Sequence, residues 1–138
     1  GKGGIGKSMV SSHISFALAS KGLRILHMGC DPKHDSTRLV LEGKMPRPVL
    51  DILRAYNFRT DSLTLADLVF PSPLSETVPR TIFGAEAGGP EPGSGCAGKG
   101  VTEAIRTLVD LKAAEELQLD AVLYDVLGDV VCGGFAMP

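Results

Sequence analysis

The chain has 138 residues, 43% of them hydrophobic and 22% charged, with a net charge of −2. That length allows one domain with its own core, expected over residues 1–138, and the charge balance offers no basic surface for nucleic acid. No apolar run approaches the roughly 20 residues that a membrane-crossing helix needs and no signal peptide is visible, so no membrane partner is expected and the expected location is cytoplasmic.

The first eight residues, Gly1-Lys2-Gly3-Gly4-Ile5-Gly6-Lys7-Ser8, fit the phosphate-binding pattern G-x-x-x-x-G-K-[ST]. Glycines let the backbone turn tightly and aim successive N–H groups at an anion. Lys7 is expected to reach the β- and γ-phosphates of a nucleotide, and the Ser8 hydroxyl to ligate Mg²⁺. Met9 to Lys21 reads as a helix whose positive end faces the same phosphates. Val10, Ile14, Phe16, Ala17 and Leu18 should face a sheet, and Gly22 should end the helix. A P-loop normally follows a buried strand, and none precedes Gly1. There is no initiator methionine, and the last residues, Gly133 to Pro138, read as loop. The sequence is therefore expected to be an internal piece of a longer protein, truncated at both ends.

Leu23 to Met28 reads as a strand. P-loop, helix and strand in succession predict an α/β fold of the P-loop NTPase kind, a mostly parallel sheet flanked by helices. His13 and His27 lie on these elements and are expected to be packing or surface residues, since no second ligand stands at metal spacing. The polar run Gly29 to Arg38 follows, at the strand end where open α/β sheets bind ligands. Asp31 and Asp35 are candidates to hold or orient Mg²⁺ and an attacking water, and Lys33 to contact phosphate. The plainer alternative is a solvated loop with Asp35 or Ser36 capping a helix. Cys30, directly after the strand, is expected to be a buried, inert thiol.

Val49 to Ala55 is predicted as a short amphipathic helix with Val49, Ile52 and Leu53 inward, its start bracketed by Pro46 and Pro48. Leu63 to Phe70 fits a short helix or a strand equally, and Pro71, Pro73 and Pro79 mark surface loop. Thr81 to Phe83 is a candidate strand. Glu86 to Gly100 is glycine- and proline-rich around Cys96. Val101 to Leu117 reads as a helix with Ile105, Leu108 and Val109 inward, which sets Cys96 just before a helix N-terminus, where a thiolate is stabilised. Ala121 to Asp125 is predicted as a buried strand ending in an aspartate, the position that lies near Mg²⁺ in P-loop proteins. Val126 to Gly134 is again glycine-rich, around Cys132.

The chain has three cysteines, too few and too far apart for a disulfide framework. Cys96 and Cys132 both stand among glycines, which let a backbone approach a metal cluster and donate N–H groups to its sulfides. A cubane cluster takes four thiolates, and a symmetric dimer would offer four from two chains. Two unrelated buried cysteines remain the alternative.

Four segments in order, Gly1 to Ser8, Gly29 to Leu41, Gly88 to Gly100 and Tyr124 to Pro138, resemble the family of nitrogenase iron proteins and their relatives. The resemblance implies a homodimer carrying one [4Fe-4S] cluster on Cys96 and Cys132 of each subunit, with ATP and Mg²⁺ at each P-loop. It implies that Lys2 reaches across to the partner's nucleotide, and that Lys2, Asp31, Lys33, Asp35 and Asp129 serve catalysis. Residues 31–37 and 125–132 would be nucleotide-sensing switches. Electrons would come from a donor such as ferredoxin or flavodoxin and pass to a larger catalytic partner of the molybdenum–iron protein type. Three positions depart from the family pattern: Lys99 stands where arginine is usual, His34 replaces a small residue, and Met9 replaces a hydroxyl residue. The resemblance also spans reductases for tetrapyrrole or sulfur substrates. A non-redox dimeric positioning ATPase would share the P-loop, Lys2 and Asp125, but would have no use for Cys96 and Cys132.

Overall fold

The computed structural model of the chain describes residues 6–33, 35–78, 81–89 and 97–126. Helix α1 runs Lys7–Ser20. Gly6 caps it at φ 84°, a left-handed conformation that favours glycine. At the far end Gly22, at φ 90°, gives its N–H to the Ala19 carbonyl at 2.9 Å, closing the helix as the sequence predicts.

Strand β1 (Ile25–Cys30) lies at the centre and is buried throughout. It continues to Cys30 rather than stopping at Met28, because its parallel ladder with β4 (Ala121–Val126) extends to the pair Cys30 and Val126. On its other side β1 pairs in parallel with β3 (Ile82–Glu86), which is longer than the Thr81–Phe83 expected. The two-residue strand β2 (Phe70–Pro71) adds antiparallel to β3, giving the order β2-β3-β1-β4. Proline is tolerated there because β2 is an edge strand. The mostly parallel α/β arrangement of a P-loop NTPase is thus present. The expectation of a buried β4 is corrected. It is the opposite edge, with Tyr124 44% and Val126 38% exposed and only Asp125 fully buried.

Side chains alternate between the two faces of β1. Leu26, Met28 and Cys30 join the main core with α2 (Val49–Ala55) and α4 (Ala97–Asp110), through Val49, Leu50, Leu53, Val101, Ala104 and Leu108. The opposite face meets α1, where Ile82 packs with Ala19, Val40 and Leu41. Helix α1 turns Ser12, Ser15 and Ala19 inward, whereas Val10 and Ile14 are 60% and 45% exposed. Of the apolar residues predicted to face the sheet, half-buried Phe16 packs against this core cluster, whereas Val10 and Ile14 do not turn inward. The sheet presents His27 to this helix, and a histidine needs hydroxyl partners there more than it needs aliphatic ones.

Helix α2 matches its predicted span and inward residues. The ambiguous Leu63–Phe70 resolves into both options: α3 (Leu65–Leu68), held by a Thr64–Asp67 capping box, followed at once by β2. Helix α4 starts at Ala97, four residues before the predicted Val101, and the predicted single helix breaks at Lys112, whose φ is 54°. A four-residue helix, α5 (Ala113–Glu116), follows. Val101, Ala104, Thr107 and Leu108 face inward on α4, while Val109 is 67% exposed, contrary to prediction. Gly100 belongs to α4 because the helix seats tightly on α2: a Cβ there would lie 2.7 Å from Leu50 Cδ1.

Candidate functional site

The parallel register places Glu86 on β3, Gly29 on β1 and Asp125 on β4 in one row at the C-terminal edge of the sheet. Residues in register share a face, so the two carboxylates flank the glycine. Gly29 has no substitute: a Cβ would come within 2.0 Å of Glu86 Oε2.

Asp125 gathers the candidate nucleotide residues. Lys7, in the first turn of α1, forms an ion pair with Asp125 Oδ1, the carboxylate being 1% exposed and the lysine 29%. The Ser36 hydroxyl donates to Asp125 Oδ2 at 2.6 Å, and Ser8 stands beside Lys7 in the first turn of α1. Burial alone would raise the pKa of this carboxyl, but the hydrogen bonds from Lys7 and Ser36, the nearby Ser8 hydroxyl and the Lys7 charge overrule it and hold the carboxyl below its ordinary range. Asp125 is thus an ionised acceptor beside a hydroxyl and an ammonium. Carboxylate and hydroxyl are the hard oxygen donors that Mg²⁺ takes. Among the described residues no group of three or more His, Cys, Asp or Glu forms a metal cage, so Mg²⁺ here would need the nucleotide's own oxygens as well.

A 3₁₀ turn, Ser36–Arg38, is fastened to this row at both sides of Gly29. Ser36 reaches Asp125, while the Thr37 N–H and hydroxyl donate to Glu86 Oε1 at 2.7 and 2.8 Å. Asp35 precedes the turn without a side-chain capping bond. Asp31 Oδ1 accepts from the Lys33 N–H at 2.9 Å, and Lys33 and Asp35 are exposed. All three stand on the loop leaving β1, but among the described residues the structure does not bring them onto the Lys7–Asp125 pair.

His27 is the surprise of the site. It is completely buried two residues before Gly29, so it faces α1 on the same side as Asp125. Its Nδ1 is 2.9 Å from Ser15 Oγ on α1, and its Nε2 is 2.9 Å from Ser36 Oγ. Burial drives its pKa from 6.5 to about 4, with Asp125 pulling upward and Lys7 downward, so the imidazole is neutral. Sequence reasoning took it for a packing or surface residue, saw in Ser36 only a possible helix cap, and passed over Ser15 and Glu86. The strand's period of two was the available signal, since it puts His27 and Gly29 on one face.

Cys30 is fully buried, and its thiol is pushed up to about 12 by burial and by the Glu86 and Asp125 charges. Such a thiol is a poor metal ligand. Gly1, Lys2, Gly3, Gly4, Ile5, His34, Cys96, Asp129 and Cys132 lie outside the described residues. The stretch leading towards Cys96 is described as far as Gly89. Leu50 N–H donates to the Ala87 carbonyl at 3.1 Å, and Arg54 spans Asp51 Oδ1 at 2.7 Å and the Gly89 carbonyl at 2.8 Å. Gly88, at φ 86°, packs on Pro48, and a Cβ on Gly89 would lie 2.9 Å from Pro32 Cβ.

A glycine-capped helix opening with lysine and serine, its lysine paired to a strand-end aspartate in a parallel sheet, defines a P-loop NTPase fold. The comparison with protein families is more specific. The model of the NifH/frxC family of 4Fe-4S iron sulfur cluster binding proteins matches residues 1–138, and the chain belongs to that family. It is 49% identical over its full length to the nitrogenase iron protein of Methanospirillum hungatei, covering 45% of that protein. It is 48% identical to the light-independent protochlorophyllide reductase iron-sulfur ATP-binding protein of Chlorobium phaeovibrioides, covering 47% of it. It is 47% identical to nitrogenase iron protein 2 of Paenibacillus durus, covering 44%. The chain thus spans about half the length of these relatives. The ATP, Mg²⁺ and [4Fe-4S] cluster expected from the sequence agree with this family. Among the described residues no helix is long and apolar enough to cross a membrane.

Proposed function

We propose that the chain is the nucleotide- and cluster-binding part of an ATP-dependent electron-transfer reductase component, the iron protein of nitrogenase, acting in the cytoplasm as a homodimer. The observation that carries the reading is the convergence of Lys7, Ser8 and Asp125 at the start of α1, in a chain of a cluster-binding family. When bound, Mg-ATP supplies the phosphoryl bond to be hydrolysed and the cluster a site for one electron. The backbone of Gly1 to Gly6 cradles phosphate. Lys7 exchanges Asp125 for phosphate oxygens, and Ser8 and Asp125 hold Mg²⁺. Asp31 and Asp35 hold or orient Mg²⁺ and the attacking water, Lys33 contacts phosphate, Asp129 serves catalysis, and Lys2 reaches the partner's nucleotide. Cys96 and Cys132 of both subunits would hold the cluster, which would supply a one-electron site between a donor such as ferredoxin or flavodoxin and a larger partner of the molybdenum–iron type.

A second reading, a reductase component for a tetrapyrrole, is favoured by the Chlorobium relative at 48% identity. The nitrogenase branch is favoured by the Methanospirillum and Paenibacillus relatives at 49% and 47% identity. The test is anaerobic purification of the full-length protein, followed by electron delivery to each type of catalytic partner. Acetylene reduction with the molybdenum–iron protein, requiring Mg-ATP and lost in Lys7→Ala, is the expected result. Protochlorophyllide reduction alone would select the second reading. An iron-free protein that hydrolyses ATP would overturn both in favour of a positioning ATPase.

A further inference from the structure

His27 connects three elements that are otherwise separate in sequence: Ser15 on α1, Ser36 on the 3₁₀ turn and, through Ser36, Asp125 on β4. The direction of every proton in this chain follows from the geometry. An ionised carboxylate only accepts, so the Ser36 hydroxyl donates to Asp125 Oδ2 at 2.6 Å. Its one proton is then used, and its contact with His27 Nε2 at 2.9 Å requires the imidazole to donate. A neutral imidazole that donates from Nε2 accepts at Nδ1, so the Ser15 hydroxyl donates there. The order is Ser15 to His27 to Ser36 to Asp125, with each donor oriented by the one before it. His27, Ser15 and Ser36 are all buried, which removes water as an alternative partner.

We infer that His27 is a positioning residue for the nucleotide site: it fixes the direction of the Ser36 hydroxyl and thereby the orientation of the Asp125 carboxylate. The inference rests on the reading of Lys7, Ser8 and Asp125 as the Mg-nucleotide site. In that site Lys7 and Ser8 turn to phosphate and metal, and Ser36 is the partner left to hold Asp125. A Ser36 hydroxyl without His27 is free to rotate. His27 therefore matters most when Asp125 has lost its lysine.

The test uses the full-length protein with the variants His27→Gln, His27→Asn, His27→Leu and Ser36→Ala, each checked for folding by its melting temperature. A glutamine amide nitrogen extends about as far as Nε2 and keeps the donor to Ser36. The asparagine amide ends near Nδ1 and keeps only the Ser15 contact. Mg²⁺-dependent ATP affinity should fall up to about tenfold in His27→Asn and His27→Leu, the effect of one lost hydrogen bond, and recover in His27→Gln. Ser36→Ala combined with His27→Leu should be no weaker than Ser36→Ala alone. If His27→Leu does not fold, the contrast between glutamine and asparagine, with His27→Asn in its place in the double variant, decides. Independently of nucleotide, ¹⁵N NMR of the imidazole should show a proton on Nε2 and none on Nδ1. An Nδ1–H tautomer, equal losses in glutamine and asparagine variants, or additive losses with Ser36→Ala would overturn the inference alone. A wild-type protein with no Mg²⁺-dependent ATP binding would instead overturn the nucleotide-site reading, and the inference with it.

Discussion

Lys7 and Asp125 stand 118 positions apart in the chain, yet each is recognisable in the sequence because its neighbours obey a pattern. Lys7 closes a glycine motif and Asp125 ends an apolar strand. His27 and Ser36 have no such pattern around them; their role depends on which strand lies beside β1, and one sequence does not state that. His27 also makes a prediction about acid. Its pKa falls from 6.5 to about 4 on folding, so between those values the unfolded chain binds a proton that the folded one refuses. Stability contributed by the neutral imidazole is whole above pH 6.5 and is lost as pH falls towards 4, amounting to at most about 3 kcal/mol. The Asp125 carboxylate, held below its ordinary range, acts with the same sign at lower pH. Urea unfolding of the nucleotide-free protein between pH 7 and 4 should show this decline, and His27→Leu should flatten it. A slope unchanged by the substitution would mean that the imidazole is not the group titrating.

Elements were legible where a period was strong and one face apolar. Helix α2 came out at its predicted limits, and β1, β3 and β4 were all foreseen in kind. Boundaries failed where a contact outweighed local composition. Gly100 looks like loop, but it is helical because α4 lies against Leu50. Helix α1 looks like an aliphatic face, but its inward stripe is hydroxylic because it answers a histidine. Two glycines at element contacts should behave differently when given a methyl group. In Gly29→Ala the new Cβ meets Glu86 Oε2 at 2.0 Å and Cδ at 2.5 Å, on a carboxylate that Thr37 holds in place. A loss of about 3 kcal/mol is expected, at the upper end of overpacking costs. In Gly100→Ala the nearest atom is the end of a flexible leucine at 2.7 Å, and the gain in helix propensity offsets part of the cost. Chemical denaturation should find Gly29→Ala much the less stable of the two; the reverse order would contradict the packing described for the carboxylate row.

At the scale of the whole molecule the described residues form a sheet with one candidate nucleotide residue set at its edge and a core thiol behind it. Cys30→Ser should leave the iron content of the full-length protein unchanged, since that thiol is buried and held protonated. Cys96→Ser or Cys132→Ser should each remove the iron, which elemental analysis of anaerobic preparations would show; iron retained in either would refute ligation by two cysteines per subunit. Lys99 is exposed on the first turn of α4, at the position where the resemblance read from the sequence leads to an expectation of arginine. Lysine keeps the charge for docking on an acidic partner but not the planar fork. Lys99→Glu should therefore stop electron transfer with ATP binding intact, and Lys99→Arg should preserve it; wild-type transfer rates in Lys99→Glu would make this residue a bystander. The contact of Gly89 with Pro32 carries a further consequence. Pro32 is on the loop that leaves β1 towards the nucleotide side, and Gly89 is on the stretch that leads towards Cys96. The two are stacked without room for a methyl group, so neither backbone has slack against the other. If the two move together, they do so as meshed gears, and Gly89→Ala should disturb both. Gearing has no preferred direction, and whatever factor a bound nucleotide exerts on the cluster side, the cluster side must exert on the nucleotide.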